Sequence, residues 1–184
     1  SSMKQYLCAK APKKEVSVIF NGIRHSYLAK SLGTSAIEKR IVYAGNLGRA
    51  QGVELFVDSF IQSNVTAIDA EWKLVLIGDG VLREAIEQKI ARLGAGDQIK
   101  VLAPMGKSDL FEYLRASNTL LMGLKDHPAL ALTIPSKVFD YLAADRPIIA
   151  MVAGEAAQLL RNNPYNRIIK PGNGVALTSE FITL

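Results

Sequence analysis

Short apolar runs, most of them closed by glycine or proline and followed by a helix-length stretch, constrain this chain more than any other feature. Arg40-Ile41-Val42-Tyr43-Ala44, Trp72-Lys73-Leu74-Val75-Leu76-Ile77, Gln98 to Leu102, Asn118 to Met122, Ile148 to Val152 and Arg167 to Lys170 are such runs. Their apolar residues are consecutive rather than alternating, as expected of strands buried on both faces. Between them, Val53 to Ile61, Val81 to Leu93, Lys107 to Ala116 and Glu155 to Arg161 read as helices. In the first of these, Val53, Phe56, Val57 and Phe60 recur at i, i+3, i+4, i+7. Strand alternating with helix predicts an α/β domain: a doubly wound parallel sheet with helices on both faces. Nearer the amino end, Met3 to Lys10 reads as a short helix and Val16-Ser17-Val18-Ile19-Phe20 as a strand closed by Asn21-Gly22. Residues 23–39 read as a connector with a helical turn around Tyr27 to Leu32.

Ligands of such sheets bind beyond the carboxyl ends of the strands, where the strand order reverses. The loops after Ala44, Ile77, Leu102 and Met122 share that edge, as does the start of a helix within Thr133 to Ala144. Thr133 is placed to cap this helix, and Pro135 suits its first turn. Val138, Phe139 and Leu142 are predicted to face the core, leaving Lys137, Asp140 and Tyr141 on the other side. A helix N-terminus with a lysine in its first turn attracts an anion. A local Lys137–Asp140 ion pair is the plainer alternative. Gly45-Asn46-Leu47-Gly48 joins a strand to a helix with glycines that let backbone N–H groups approach a phosphate. Its spacing is neither the dinucleotide fingerprint nor a Walker loop. Arg49 is the one cation of this loop; a tight turn with an exposed arginine is the competing reading. Gly78-Asp79-Gly80 is turn chemistry, with Asp79 placed to cap the following helix. Asp126-His127-Pro128 lies on the same edge, where a sugar or phosphate contact competes with simple solvation of a loop histidine.

Composition excludes several classes. The only cysteine is Cys8, and the only histidines are His25 and His127. A disulfide framework, a structural zinc site and a histidine-rich metal centre are therefore not expected. A net charge of +5 tolerates acidic ligands or an anionic surface without demanding either, and no nucleic-acid-binding signature accompanies it. Neither a signal peptide nor a membrane-length apolar run is apparent, so a cytoplasmic setting is expected. Both ends break into what read as helices, as in a piece of a longer protein.

Taken together, Ile41-Val42-Tyr43-Ala44-Gly45-Asn46-Leu47-Gly48, Gln51-Gly52, Leu74-Val75-Leu76-Ile77-Gly78-Asp79-Gly80 and Pro135-Ser136-Lys137-Val138-Phe139-Asp140-Tyr141-Leu142-Ala143-Ala144, followed by Arg146-Pro147-Ile148-Ile149, resemble the carboxyl-terminal, donor-binding half of a GT-B glycosyltransferase of family 4. The bacterial surface-polysaccharide branch is the nearest. The resemblance covers residues 15–175 and treats 1–22 as the crossover from an absent amino-terminal domain, with 23–184 as the donor domain, truncated at its end. It implies retaining transfer from a UDP- or GDP-sugar to a hydroxyl, without a metal or other cofactor. The acceptor, lipid-linked or a glycan, would be bound by the missing half, at most peripherally on the inner membrane face. It places the diphosphate on Gly45, Asn46, Gly48, Arg49, Gln51, Ser136 and Lys137, the ribose on Asp140, and the base on the loop Ala103-Pro104-Met105. Asp126, His127 and Thr133 are the candidates for the sugar, and no catalytic residue is assigned. Where the family commonly carries arginine and lysine, this chain has Asn46 and Gln51, with Arg49 or Lys137 left to replace the charge. Of the family's paired glutamates, the second matches Asp140 and the first falls on Leu132, which cannot hydrogen-bond a sugar hydroxyl through its side chain.

Two other readings remain open at this level. A GT-B-type nucleotide-sugar epimerase needs acid and base groups near the sugar ring, for which Asp126 and His127 are the main candidates. A degenerate, non-catalytic nucleotide-binding module fits the departures at Leu132, Asn46 and Gln51. A signalling receiver is disfavoured, since the loop after Ala44 has no clustered acids.

Overall fold

The structure, a computed structural model, describes residues 2–22 and 39–184. Six strands form one all-parallel sheet: β1 (Arg40–Ala44), β2 (Lys73–Ile77), β3 (Ile99–Leu102), β4 (Thr119–Gly123), β5 (Ile148–Met151) and β6 (Arg167–Ile169). Their order is β3-β2-β1-β4-β5-β6, so the winding reverses between β1 and β4. The helices are α1 (Ser2–Lys10), α2 (Val53–Ser63), α3 (Val65–Ile68), α4 (Arg83–Arg92), α5 (Lys107–Arg115), α6 (Pro128–Ala131), α7 (Lys137–Ala144), α8 (Gly154–Leu160) and α9 (Gly174–Ile182).

Burial on both sides explains the consecutive apolar runs. Ile41, Tyr43, Leu74, Leu76, Leu121, Ile149 and Met151 face one layer, built with α2, α4 and α9. Val42, Ala44, Val75, Ile77, Leu120, Met122 and Ala150 face the other, built with α5, α7 and α8. The predicted stripe of α2 is buried as expected, and Phe60 meets Phe181 of α9 edge-on at 5.9 Å between ring centres. Trp72 is buried at the start of β2.

Some expectations fail. Val16 to Phe20 is not a strand: it pairs with nothing in the sheet, and Ile19 is 92% exposed. A β-prone run becomes a strand only when a sheet edge accepts its backbone. The turn expected at Asn21-Gly22 runs into residues outside those described, as does the helical turn around Tyr27 to Leu32 and His25. Thr133 does not cap α7. Its hydroxyl donates to the Leu130 carbonyl at 2.8 Å, closing α6, and α7 begins at Lys137 behind Ser136. Asp79 does not cap α4 either; its carboxylate accepts from the N–H of Gly80 at 2.8 Å, and the helix starts at Arg83.

The inward face of α7 is also different from the expected one. Val138, Tyr141 and Ala144 are its buried line, while Phe139 and Leu142 are half-buried. Tyr141 is inside because the sheet has a polar gap for it. Strands β1 and β4 are in register only at Ile41↔Thr119 and Val42↔Leu120, whereas β1 and β2 pair along all of β1. Beyond Val42, the β1 edge loses its β4 partner. The Tyr141 hydroxyl fills the gap, accepting from the N–H of Ala44 at 2.8 Å and lying 3.3 Å from the Leu121 carbonyl. Burial pushes this phenol well above its ordinary pKa, so it stays a neutral donor and acceptor. Tyr141→Phe is expected to lower unfolding free energy by about 1–3 kcal/mol, since it strands a buried N–H. Urea unfolding checks this: the midpoint falls with an unchanged slope, and an unshifted midpoint refutes the role given to the hydroxyl.

Candidate functional site

The parting of β1 and β4 opens a crevice at the carboxyl edge of the sheet, and the loops around it are held by backbone contact. The N–H of Gly45 donates to the Ile77 carbonyl at 2.9 Å, and that of Leu47 to the Asp79 carbonyl at 2.8 Å. Leu82 N–H returns to the Leu47 carbonyl at 2.9 Å. The loop after β1 is thus hydrogen-bonded to the loop after β2. Gly78, at φ +144°, permits this: a β-carbon there would overlap the carbonyl of Gly45.

Gly45 has a second task. Lys137 opens α7 on one face of the sheet, and Tyr43 lies in the core of the other. The lysine reaches over the sheet end to the tyrosine. Its Nζ lies 4.1 Å from the Tyr43 ring centre and donates to the Tyr43 hydroxyl at 3.0 Å. That hydroxyl donates to the carbonyl of Asn46 at 2.7 Å. A β-carbon on Gly45 would stand 2.5 Å from the Lys137 Nζ, so the glycine is what leaves room for the ammonium. Lys137 and the glycine loop therefore do meet. The expected Lys137–Asp140 pairing is replaced by the tyrosine contact.

Burial lowers the pKa of Lys137 from 10.5 to about 8. Desolvation disfavours the ammonium, while the ring face and the phenol oxygen hold it. An anion arriving at Gly45 would meet a cation that water solvates poorly. Tyr43 itself is pushed far above its ordinary pKa by burial and remains a neutral phenol.

The other candidates are distributed along the same edge. Asn46 is exposed and Gln51 half-buried, and both side chains fold over Gly48: a β-carbon there would meet Asn46 Nδ2 at 2.8 Å and Gln51 Oε1 at 2.9 Å. Gln51 Oε1 is buried without a hydrogen-bond partner among the described residues. Arg49 is exposed in a single 3₁₀ turn, Arg49–Gln51. Ser136 is exposed at the start of α7. Ala103 and Pro104 are exposed after β3, with Met105 tucked against the core.

Asp140 opens sideways, into a cavity of about 120 Å³ shared with Lys107, Leu110, Phe111 and Leu114 of α5. Burial raises its pKa, and Lys107 pulls the other way. Asp126 lines a separate cavity of about 280 Å³ between α2 and the ends of β4, β5 and β6. His127 Nδ1 accepts from the N–H of Ala129 at 3.2 Å and caps α6, so one ring nitrogen already has structural work. Gly45, Asn46 and Lys137 are brought together; Asp126 and His127 stand apart from them. Among the described residues no group of three His, Cys, Asp or Glu side chains is placed to hold a metal ion. None of the described helices is long and apolar enough to cross a membrane.

Tyr43, Tyr141 and Lys107 are absent from the sequence-predicted set. Tyr43 carried one signal: a hydroxyl-bearing ring breaking an aliphatic run one residue before a glycine loop.

A family model described as Glycosyl transferases group 1 matches residues 38–184. No curated protein matches the chain. Among solved structures, a Staphylococcus aureus TarM variant in complex with fondaparinux, alpha-GlcNAc-glycerol and UDP superposes with a TM-score of 0.77 at 11% identity, over 100% of this chain and 35% of that one. Anabaena Alr3699/HepE in complex with UDP-glucose gives 0.68 at 18%, over 91% and 47%. The C-terminal domain of the LpcC glycosyl transferase group 1 family protein from Francisella tularensis gives 0.61 at 16%, over 80% and 76%. At these identities the likeness concerns the fold, a Rossmann-like half of the GT-B architecture. The chain spans about a third to a half of the length of the first two.

The buried lysine has a consequence for the free protein. Above pH 8 the folded chain loses the Lys137 proton while the unfolded chain keeps it, so this group makes stability rise with pH up to about 10. Near pH 10 the two buried tyrosines act in the opposite sense, because only the unfolded chain ionises them. Lys137→Met is expected to be more stable than wild type at pH 7, by about 1–3 kcal/mol, with the gap closing between pH 8 and 10. Denaturant titrations at pH 7, 8, 9 and 10 measure this; a variant less stable than wild type at pH 7 contradicts it.

Proposed function

The chain belongs to the group 1 glycosyl transferases, and from that premise we propose that it is the donor-binding domain of an enzyme that moves a sugar from a nucleoside diphosphate to an acceptor hydroxyl. The observation that carries this reading is the Lys137 ammonium lying against Gly45 where β1 and β4 part. That edge is where a doubly wound sheet offers helix N-termini and loop backbone to a ligand. Lys137 takes the place of the charge missing at Asn46 and Gln51. It steadies the diphosphate as negative charge builds on departure of the sugar. Gly45, Gly48, Arg49 and Ser136 complete the diphosphate wall, Asp140 accepts from the ribose hydroxyls, and Ala103-Pro104-Met105 flank the base. Asp126, His127 and Thr133 lie toward the sugar.

The finer assignment is family 4 chemistry: retaining transfer in surface-polysaccharide assembly, at the cytoplasmic face of a membrane, onto a lipid-linked or glycan hydroxyl. Residues 1–22 then lead in from the half that binds this acceptor. The donor is a UDP- or GDP-sugar; the Anabaena protein was solved with UDP-glucose, which favours UDP. The diphosphate charge is met by Lys137 and backbone dipoles, so donor binding needs no divalent metal.

Titration calorimetry with UDP, GDP and inorganic pyrophosphate, in excess EDTA and then with magnesium or manganese, tests the reading. Expected is metal-independent binding with Kd around 0.1–1 mM, since one wall of the cleft belongs to the other half. Lys137→Met should weaken all three ligands by about 1.5–3 kcal/mol. Asp140→Ala should weaken the nucleotides and spare pyrophosphate. Without an acceptor half there is no near-attack geometry, so the chain alone should bind without transferring sugar. Binding only in the presence of metal would overturn the metal-free mechanism. Failure of every ligand would point to a degenerate module, and sugar transfer by the chain alone would show that the other half is dispensable.

A further inference from the structure

On the reading that this edge takes a nucleotide, Lys107 stands beside the site with no task assigned. It opens α5 directly after Ala103-Pro104-Met105-Gly106. Lys107, Leu110, Phe111 and Leu114 follow one another at i, i+3, i+4, i+7, so they form one face of the helix. That face and Asp140 on α7 enclose the cavity of about 120 Å³. Its floor is apolar, since Phe111 and Leu114 are core residues with 3% and 1% exposure. Its two polar walls are opposite in kind. A carboxylate only accepts hydrogen bonds, and an ammonium only donates them. The two sense each other electrostatically but form no ion pair among those recorded for the described residues, which leaves both to a ligand.

We propose that this cavity receives the nucleobase of the donor and that Lys107 selects uracil through its O4 carbonyl. The enclosure has room for a single ring and is too small for a nucleotide or for a sugar with its diphosphate. A flat ring covers the Leu110, Phe111 and Leu114 floor and excludes water from it. The ribose attached to that ring falls at Asp140, on the side toward Lys137 and the diphosphate wall. Lys107 faces the far edge of the ring. Uracil presents a carbonyl oxygen there, as thymine does, and cytosine presents an amino donor. Against cytosine the ammonium meets a donor with a donor, and both lose water without gaining a partner. A site that must hydrogen-bond its ligand rejects the analogue lacking that group far better than an apolar pocket rejects an extra methylene. A purine overfills the cavity. Lys107 is thus a specificity residue distinct from the main-chain contacts of the 103–105 loop.

The test titrates the chain with UDP, CDP, GDP and inorganic pyrophosphate, in wild type, Lys107→Met, Lys107→Glu and Leu110→Trp. Lys107 is exposed, so its variants are expected to fold, and circular dichroism verifies this. Wild type should bind UDP about tenfold more tightly than CDP or GDP. Lys107→Met should erase the UDP-to-CDP ratio and leave pyrophosphate unchanged. Lys107→Glu should bring CDP ahead of UDP, because a carboxylate accepts from the cytosine amino group. Leu110→Trp should fill the cavity and weaken every nucleotide while sparing pyrophosphate. Equal binding of UDP and CDP by wild type would overturn the assignment. So would a loss in Lys107→Met shared by pyrophosphate, which would make Lys107 a phosphate contact. If neither pyrophosphate nor any nucleotide binds wild type, the donor-site reading fails and the base assignment with it. If both bind without base preference, only the assignment made here fails.

Discussion

Two parallel strands that pair for two residues and then part are what the rest of this molecule depends on. Parting leaves a buried backbone edge, and a buried N–H without a partner is costly. The Tyr141 hydroxyl meets that demand from α7, which pins the first turns of the same helix beside the opening. Lys137, one helical turn earlier, is then close enough to lean across the sheet end onto Tyr43. The gap, the tyrosine that splices it and the lysine that spans it are therefore one arrangement.

The charges around the crevice follow from this. A cation buried against a ring with one hydroxyl partner is under-satisfied, and the free protein is less stable for holding it. Such an arrangement belongs to a site rather than to a scaffold: binding groups are kept in surroundings that suit the ligand better than the empty protein. The unpaired oxygen of Gln51 and the burial-raised Asp140 carboxyl are of the same kind, on the same sheet edge.

Much of the fold was legible in the sequence, because consecutive aliphatic residues admit few structures other than a sheet covered on both faces. The six strands fall where the apolar runs fall, and the switch point lies where the loops pointed. Local signals failed where a distant partner decided the outcome. Thr133 had the chemistry of a cap, but the Leu130 carbonyl was nearer. Val16 to Phe20 had the composition of a strand and found no edge. Tyr141 read as outward because a hydroxyl is polar, and the gap between β1 and β4 cannot be seen in a one-dimensional pattern. For the site, Gly45 and Lys137 were legible separately, but not the reason they belong together. That reason is Tyr43, which contacts the lysine from the other face of the sheet. Nor could spacing reveal that Asp140 turns toward Lys107, since the two lie on different helices.

The backbone contact between Gly45 and Gly78 bears on how a ligand would be received. Two loops that exchange main-chain hydrogen bonds at 2.8–2.9 Å, with no room for a methyl group between them, have already lost their conformational freedom. Docking against them adds little ordering entropy. The wall opposite is the long span between β4 and α7, which carries only the four-residue helix α6 and a hydrogen bond from Lys125 N–H to the Ala50 carbonyl at 2.8 Å near its start. Whatever adjustment accompanies binding falls on that side. The crevice therefore has one rigid jaw and one compliant jaw, and its selectivity is divided accordingly: shape from the first, accommodation from the second.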